Sequence, residues 1–285
     1  MRSILFVPGD SERKLAKAAG AGADALALDL EDSVLAEHKA TARRLVKDYI
    51  EHCTDRGRLW VRVNALSSGD LLDDLKSIVA ARPCGIVLPK LRGPEDLTCA
   101  AHYLDALEFA CGVPAGTIEI LGLITETASS VLRIADFIRQ PLSPRVVAFA
   151  WTAEDLSSAI GGEPRDADGN WRPVLAHARS QCLLAAQACN VTPIDTIYVD
   201  FKDSAGLKRS CEASRADGFR ARFAIHPDQV PIINEAFAPS EADRTQARRI
   251  VAAFASGAGT VSLDGKMYDI PHLRAAERLL NLGSG

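Results

Sequence analysis

Seven charged side chains sit at or near the ends of short apolar runs. Asp29, Glu31 and Asp32 close one run, Arg62 lies in the next, and Lys90, Glu126 and Asp155 follow three later ones. Carboxylates gathered in this way repel one another unless a cation neutralises them. A hard divalent ion fits such a set. Mg2+ is usually held by one or two carboxylates, with waters and substrate oxygens completing its shell. Glu126 and Asp155, which follow consecutive runs, are the expected ligands. For either one taken alone, the competing role is a helix N-cap or a partner of a helix dipole.

Arg62 stands inside the apolar segment Trp60-Val61-Arg62-Val63. An arginine is rarely buried without a partner. Either it pairs with a structural carboxylate such as Asp29, or it binds an anionic substrate through its planar, doubly donating guanidinium. The stretch Ser11-Glu12-Arg13-Lys14-Leu15-Ala16-Lys17 is basic. It reads as a solvated helix face, or as a phosphate-binding surface formed by Arg13, Lys14 and Lys17.

These groups need elements to position them. Apolar runs at 4–8, 24–30, 59–64, 85–89, 118–124, 146–151, 196–201 and 222–226 alternate with helical patterns. The runs are continuously apolar, as in parallel strands covered on both sides. Asp10-Ser11, the segment 67–70 and Pro94-Glu95-Asp96 carry helix-start signals. The alternation predicts a (β/α)8 TIM barrel over 1–237, though an open doubly wound sheet also alternates. Residues 238–285 form a C-terminal extension. Helices are expected over 241–255 and 271–280, with a hairpin of 260–263 and 267–270 around Asp264-Gly265. The extension is either a packing and oligomerisation arm or a lid over an active site.

Composition narrows the classes. The 285 residues are 47% hydrophobic and 25% charged, within the soluble globular range. A net charge of −4 and 6% aromatics disfavour a nucleic-acid partner. No apolar stretch is long enough to span a membrane. The 7 cysteines include no C-x-x-C pair, which points to free thiols in a reducing cytoplasm. The 6 histidines include no H-x-x-x-H pair. Gly20-Ala21-Gly22 follows a helix rather than a strand, and no G-x-S-x-G occurs.

The ordered set 2–9, Leu28-Asp29-Leu30-Glu31-Asp32-Ser33-Val34, Val61-Arg62-Val63-Asn64, Gly85-Ile86-Val87-Leu88-Pro89-Lys90, Glu126-Thr127-Ala128, Glu154-Asp155-Leu156 and Ala224-Ile225-His226-Pro227 resembles the citrate lyase β-subunit-like proteins. That family lies within the HpcH/HpaI aldolase superfamily and includes malyl-CoA, citramalyl-CoA and citryl-CoA lyases. The resemblance runs from residue 2 to about residue 280 in order.

The resemblance implies a barrel, dependent on Mg2+ or on Mn2+ in its place, that breaks or makes a carbon–carbon bond in a 3-hydroxyacyl-CoA. Retro-Claisen cleavage would give acetyl-CoA and a 2-oxo acid. It assigns the metal to Glu126 and Asp155, and charge stabilisation to Arg62. Asp29, Glu31 and Asp32 would orient Arg62 and metal waters. Asp269, in the segment 264–272, would be the acid–base group and would reach a neighbouring subunit's site, so that the extension becomes a lid. Arg13, Lys14, Lys17, Lys90, His226 and Pro227 are the expected contacts to coenzyme A and substrate. A homo-oligomer, trimer or hexamer, is implied.

Two departures from the family pattern carry expectations. Thr125 adds a residue before Glu126, which implies a local bulge near the end of strand five. Trp151-Thr152 replaces smaller residues, which would narrow the pocket for the oxo acid. Other activities fit the same residues: a citrate lyase β subunit acting on an acyl-carrier-protein thioester, a CoA thioesterase, a malate synthase-like condensing enzyme, an aldolase of free oxo acids, or a non-catalytic subunit.

Overall fold

The apolar runs pair in chain order into a closed, all-parallel barrel of eight strands in the computed structural model, which describes residues 1–281. The strands are β1 (Ser3–Pro8), β2 (Ala25–Asp29), β3 (Leu59–Arg62), β4 (Gly85–Leu88), β5 (Glu119–Leu123), β6 (Val146–Ala150), β7 (Thr192–Asp195) and β8 (Ala221–Ala224). Ile4, Ala27, Trp60, Val87, Leu121, Ala150 and Phe223 fill the interior. Their neighbours Leu26, Leu28 and Ile86 are just as buried, because helices cover the outer face. Trp60 and Gly85 are register partners on β3 and β4. A Cβ on Gly85 would come within 2.4 Å of the indole, so the large ring requires the small neighbour.

Helices follow the strands and start where the sequence signals them. Ser11 caps Glu12–Ala18 by accepting the Lys14 amide, and Pro94 and Pro173 open Pro94–Cys111 and Pro173–Ala188. Two expectations fail. The seventh strand is Thr192–Asp195, not 196–201. Pro193 and the charge of Asp195 hide this short strand from an apolar-run reading, and 196–201 is loop. The irregularity between β5 and β6 falls at Val147, between the pairs Ile120 with Val146 and Leu121 with Ala148. Thr125 instead lies beyond β5, buried, with its hydroxyl oxygen accepting the Thr152 amide.

The chain divides into two compact units, Met1–Glu235 and one beginning at Ala236. In the second, Ser240 and Asp243 form a capping box at the start of Glu241–Ala253. β9 (Thr260–Leu263) and β10 (Lys266–Asp269) make an antiparallel hairpin. Asp264 and Gly265 both take left-handed backbone, with φ of 53° and 74°, as a tight two-residue hairpin turn requires. The helix Ile270–Asn281 follows. Ala247, Ile250, Phe254 and Ala276 form this unit's core, packed against Val261, Tyr268 and Leu273. All 7 cysteines are free thiols. Among the described residues no helix is long and apolar enough to cross a membrane.

Candidate active site

Active sites of parallel barrels form at the carboxyl ends of the strands. At that rim, Asp29 and Arg62 are register partners at the ends of β2 and β3. Arg62 Nε donates to Asp29 Oδ1 at 2.7 Å, and Nη2 donates to Oδ2 at 2.6 Å. The same two oxygens accept the amides of Glu31 and Ser33. Burial opposes ionisation of Asp29, yet the Arg62 charge and these hydrogen bonds hold its carboxyl below the ordinary value. Burial likewise disfavours the Arg62 charge, and Asp29 outweighs it, so the guanidinium stays protonated. Its face also lies 4.7 Å from the Phe6 ring. The alternative that Arg62 pairs with a structural carboxylate is therefore what the structure contains, and the guanidinium side chain remains 14% exposed.

Gly9 lets this corner close. Its amide donates to the Asp29 carbonyl at 2.8 Å. A Cβ there would stand 2.5 Å from that oxygen and 2.8 Å from Val46. The next turn is held by Lys39, whose ammonium donates to the carbonyls of Leu30 and Glu31 and to Asn64 Oδ1. Asn64 in turn bonds Asp74, which pairs with Arg43. Sequence reasoning placed Asn64 at the end of strand three without a role, and missed Lys39. The signal for Lys39 was a lysine opening the helix Lys39–His52 shortly after the acidic run.

Glu31 faces Arg62 Nη1 at 3.2 Å and Lys90 Nζ at 2.7 Å, as ionic contacts. Burial is the largest influence on it and raises its pKa despite both cations. Lys90 Nζ also donates to both Asp32 oxygens at 2.8 Å and lies 3.8 Å from Asp155. The Lys90 amide donates to Glu126 Oε2 at 2.5 Å. Glu126 is only 2% exposed. Burial, with the charge of Asp155 second, pushes its pKa well above the ordinary carboxylate value. Arg62, Asp29, Glu31, Asp32, Lys90, Glu126 and Asp155 are thus one connected network.

Glu126 and Asp155 fit a hard divalent cation. A buried carboxylate that resists ionisation beside a second carboxylate lacks positive charge, and both groups offer oxygen donors. Among the described residues no three His, Cys, Asp or Glu side chains converge as a closed cage. Two carboxylates leave the remaining positions of such an ion to water and substrate.

Other expected site residues lie elsewhere. Arg13, Lys14 and Lys17 are exposed on Glu12–Ala18 and take no part in the network. His226 stacks on Phe201 at 4.8 Å, beside exposed Pro227 at the end of β8. Asp269 belongs to the second unit, where its carboxylate meets His272 Nδ1. Trp151 does not narrow a pocket. It is wholly buried, donates its indole N–H to Asp195 and meets Trp171 edge-on. Asp195 faces Arg179 and Ser214, so this tryptophan belongs to the helix side of the wall.

Residues 2–227 match the family model described as HpcH/HpaI aldolase/citrate lyase. The chain is 34% identical to a (3S)-malyl-CoA thioesterase of Cereibacter sphaeroides, covering 98% of this chain and 93% of that protein. It is 31% identical to the mitochondrial citramalyl-CoA lyase of Homo sapiens, covering 99% and 85%. Among solved structures, protein CitE from Mycobacterium tuberculosis in complex with magnesium, acetoacetate and coenzyme A superposes with a TM-score of 0.82. It is 33% identical and covers 100% of this chain and 98% of that one.

Proposed function

The chain belongs to the HpcH/HpaI aldolase/citrate lyase family, and on that premise we propose that it is a Mg2+-dependent carbon–carbon lyase of 3-hydroxyacyl-CoA thioesters. The substrate class is malyl-, citramalyl- or citryl-CoA, and the products are acetyl-CoA and a 2-oxo acid. The observation that carries this reading is the network joining Arg62 to the carboxylates Glu126 and Asp155 at the barrel rim. Support from relatives lies in a citramalyl-CoA lyase and in a neighbour crystallised with magnesium, acetoacetate and coenzyme A.

Glu126 and Asp155 would hold the ion. When bound, the ion supplies Lewis-acid polarisation of the substrate's hydroxyl, later keto, oxygen. Arg62, fixed by Asp29, binds the oxygens of the departing oxo acid and stabilises charge as it shifts between them. The hydroxyl proton passes to a water, the carbon–carbon bond breaks, and its electron pair becomes a thioester enolate. Asp269, reaching in from a neighbouring subunit, delivers a proton to the enolate carbon, and acetyl-CoA forms. Asp29, Glu31 and Asp32 orient Arg62 and waters. Arg13, Lys14 and Lys17 face the phosphates of coenzyme A, and the enzyme acts as a homo-oligomer.

The thioesterase reading has one observation of its own, the (3S)-malyl-CoA thioesterase relative. Product analysis with malyl-CoA separates the two. Acetyl-CoA with glyoxylate supports the lyase, and free malate with coenzyme A overturns it in favour of hydrolysis.

A further inference from the structure

We propose that Lys90 is a positioning residue of the metal-bearing rim: its ammonium is a built-in counter-cation that the bound ion must displace from Asp155, while its amide fixes Glu126. The proposal rests on the reading that Glu126 and Asp155 hold a divalent ion. Lys90 is a non-glycine residue in left-handed backbone, with φ of 53°. Such a conformation is unfavourable for a side-chain-bearing residue and persists where surrounding contacts over-determine it. Here the contacts run in two directions from one residue. The main chain donates to Glu126, and the side chain lies 2.7 Å from Glu31, 2.8 Å from Asp32 and 3.8 Å from Asp155. One lysine therefore touches four carboxylates, including both expected ligands.

The geometry imposes a competition. A divalent ion on Asp155 repels an ammonium 3.8 Å from the same carboxylate. The nearer partners, Glu31 and Asp32, can keep Nζ when Asp155 releases it. Lys90 thus holds the acidic rim together before the ion arrives and weakens the ion's binding. Removing the ammonium alone should act with opposite sign on these two properties. A lysine that only packs the rim would change stability and leave metal affinity alone.

Mg2+ titrations of the full chain, read by calorimetry and by thermal unfolding, test this on wild type, Lys90→Met and Lys90→Arg. Lys90→Met should lower the metal-free midpoint by about 2–4 °C. It should bind Mg2+ about tenfold more tightly, the order expected on deleting a unit charge beside a divalent ion. Lys90→Arg should restore both values toward wild type. Unchanged or weaker Mg2+ binding in Lys90→Met overturns the proposal. Should that variant not fold, Lys90→Gly suits the left-handed backbone and makes the same deletion, with the same tightening expected and the same contrary result. Wild type that neither binds nor is stabilised by Mg2+ removes the metal reading itself, whatever the variants do.

Discussion

Asp29 and Arg62 face each other across β2 and β3 as register partners, joined by two parallel hydrogen bonds of 2.7 and 2.6 Å. Both carboxylate oxygens are also committed to backbone amides. Asp29 therefore has no capacity left for substrate, and in the proposed mechanism it fixes the guanidinium. A rigid, pre-charged donor in a partly buried rim stabilises developing charge without reorganising.

Asp29→Asn should separate these effects. The amide keeps the shape but turns a donor toward Arg62. Breaking a buried pair in this way costs about 3–5 kcal/mol of stability. Misplacing Arg62 should lower kcat about 100-fold. Thermal unfolding and steady-state kinetics on one preparation measure both, and a stable variant with full turnover would contradict the assignment.

Glu126 makes a pH prediction for the metal-free protein. Burial holds its folded pKa well above the ordinary value of about 4.5 for a glutamate carboxyl. The folded state therefore holds the proton more tightly than the unfolded chain. Its contribution is fully present below pH 4.5 and is lost as pH rises through the folded value. In chelator, Glu126→Gln should equal or exceed wild-type stability at neutral pH, with the advantage vanishing near pH 4.5. A variant less stable than wild type across that range would show that the carboxylate is well solvated.

Asp269 is half-exposed and bonded locally to His272. Asp269→Asn should leave the unfolding midpoint nearly unchanged, since surface substitutions alter stability by about 0.5 kcal/mol or less. Cleavage of the acyl-CoA should fall at least about 100-fold. Normal turnover in a folded variant removes Asp269 from the mechanism.

Gly9→Ala tests the corner that carries Asp29. The added methyl meets the Asp29 carbonyl and Val46 at 2.5 and 2.8 Å. Relief requires backbone movement, and overpacking of this kind costs about 1–3 kcal/mol. Activity should fall with stability because Arg62 moves with Asp29. A variant as stable and active as wild type would show that the corner yields freely.

Most of the barrel was legible because parallel strands covered on both sides read as unbroken apolar runs, and helices opened at the signals of Ser11 and Pro94. The seventh strand was not. Thr192–Asp195 contains a proline and a buried aspartate whose charge is met by Arg179 and Arg222, partners far away in sequence. The rim acids were visible as residue types at strand ends. The pairing of Arg62 with Asp29 was one of two readings open to the sequence, because choosing between them depends on strand register. The left-handed backbone of Lys90 and the reach of Lys39 depend on tertiary contacts that spacing does not encode. The tryptophan after β6 misled for the same reason, since only the fold turns its indole toward Asp195.

The central claim is tested most directly by incubating the protein with malyl-, citramalyl- and citryl-CoA, with Mg2+ and with chelator, and trapping any oxo acid released. The expected result is acetyl-CoA and a stoichiometric 2-oxo acid from one or more of the three, only with Mg2+, and lost in Asp155→Asn. Cleavage of none of them, or release of the hydroxy acid with free coenzyme A, would contradict a carbon–carbon lyase.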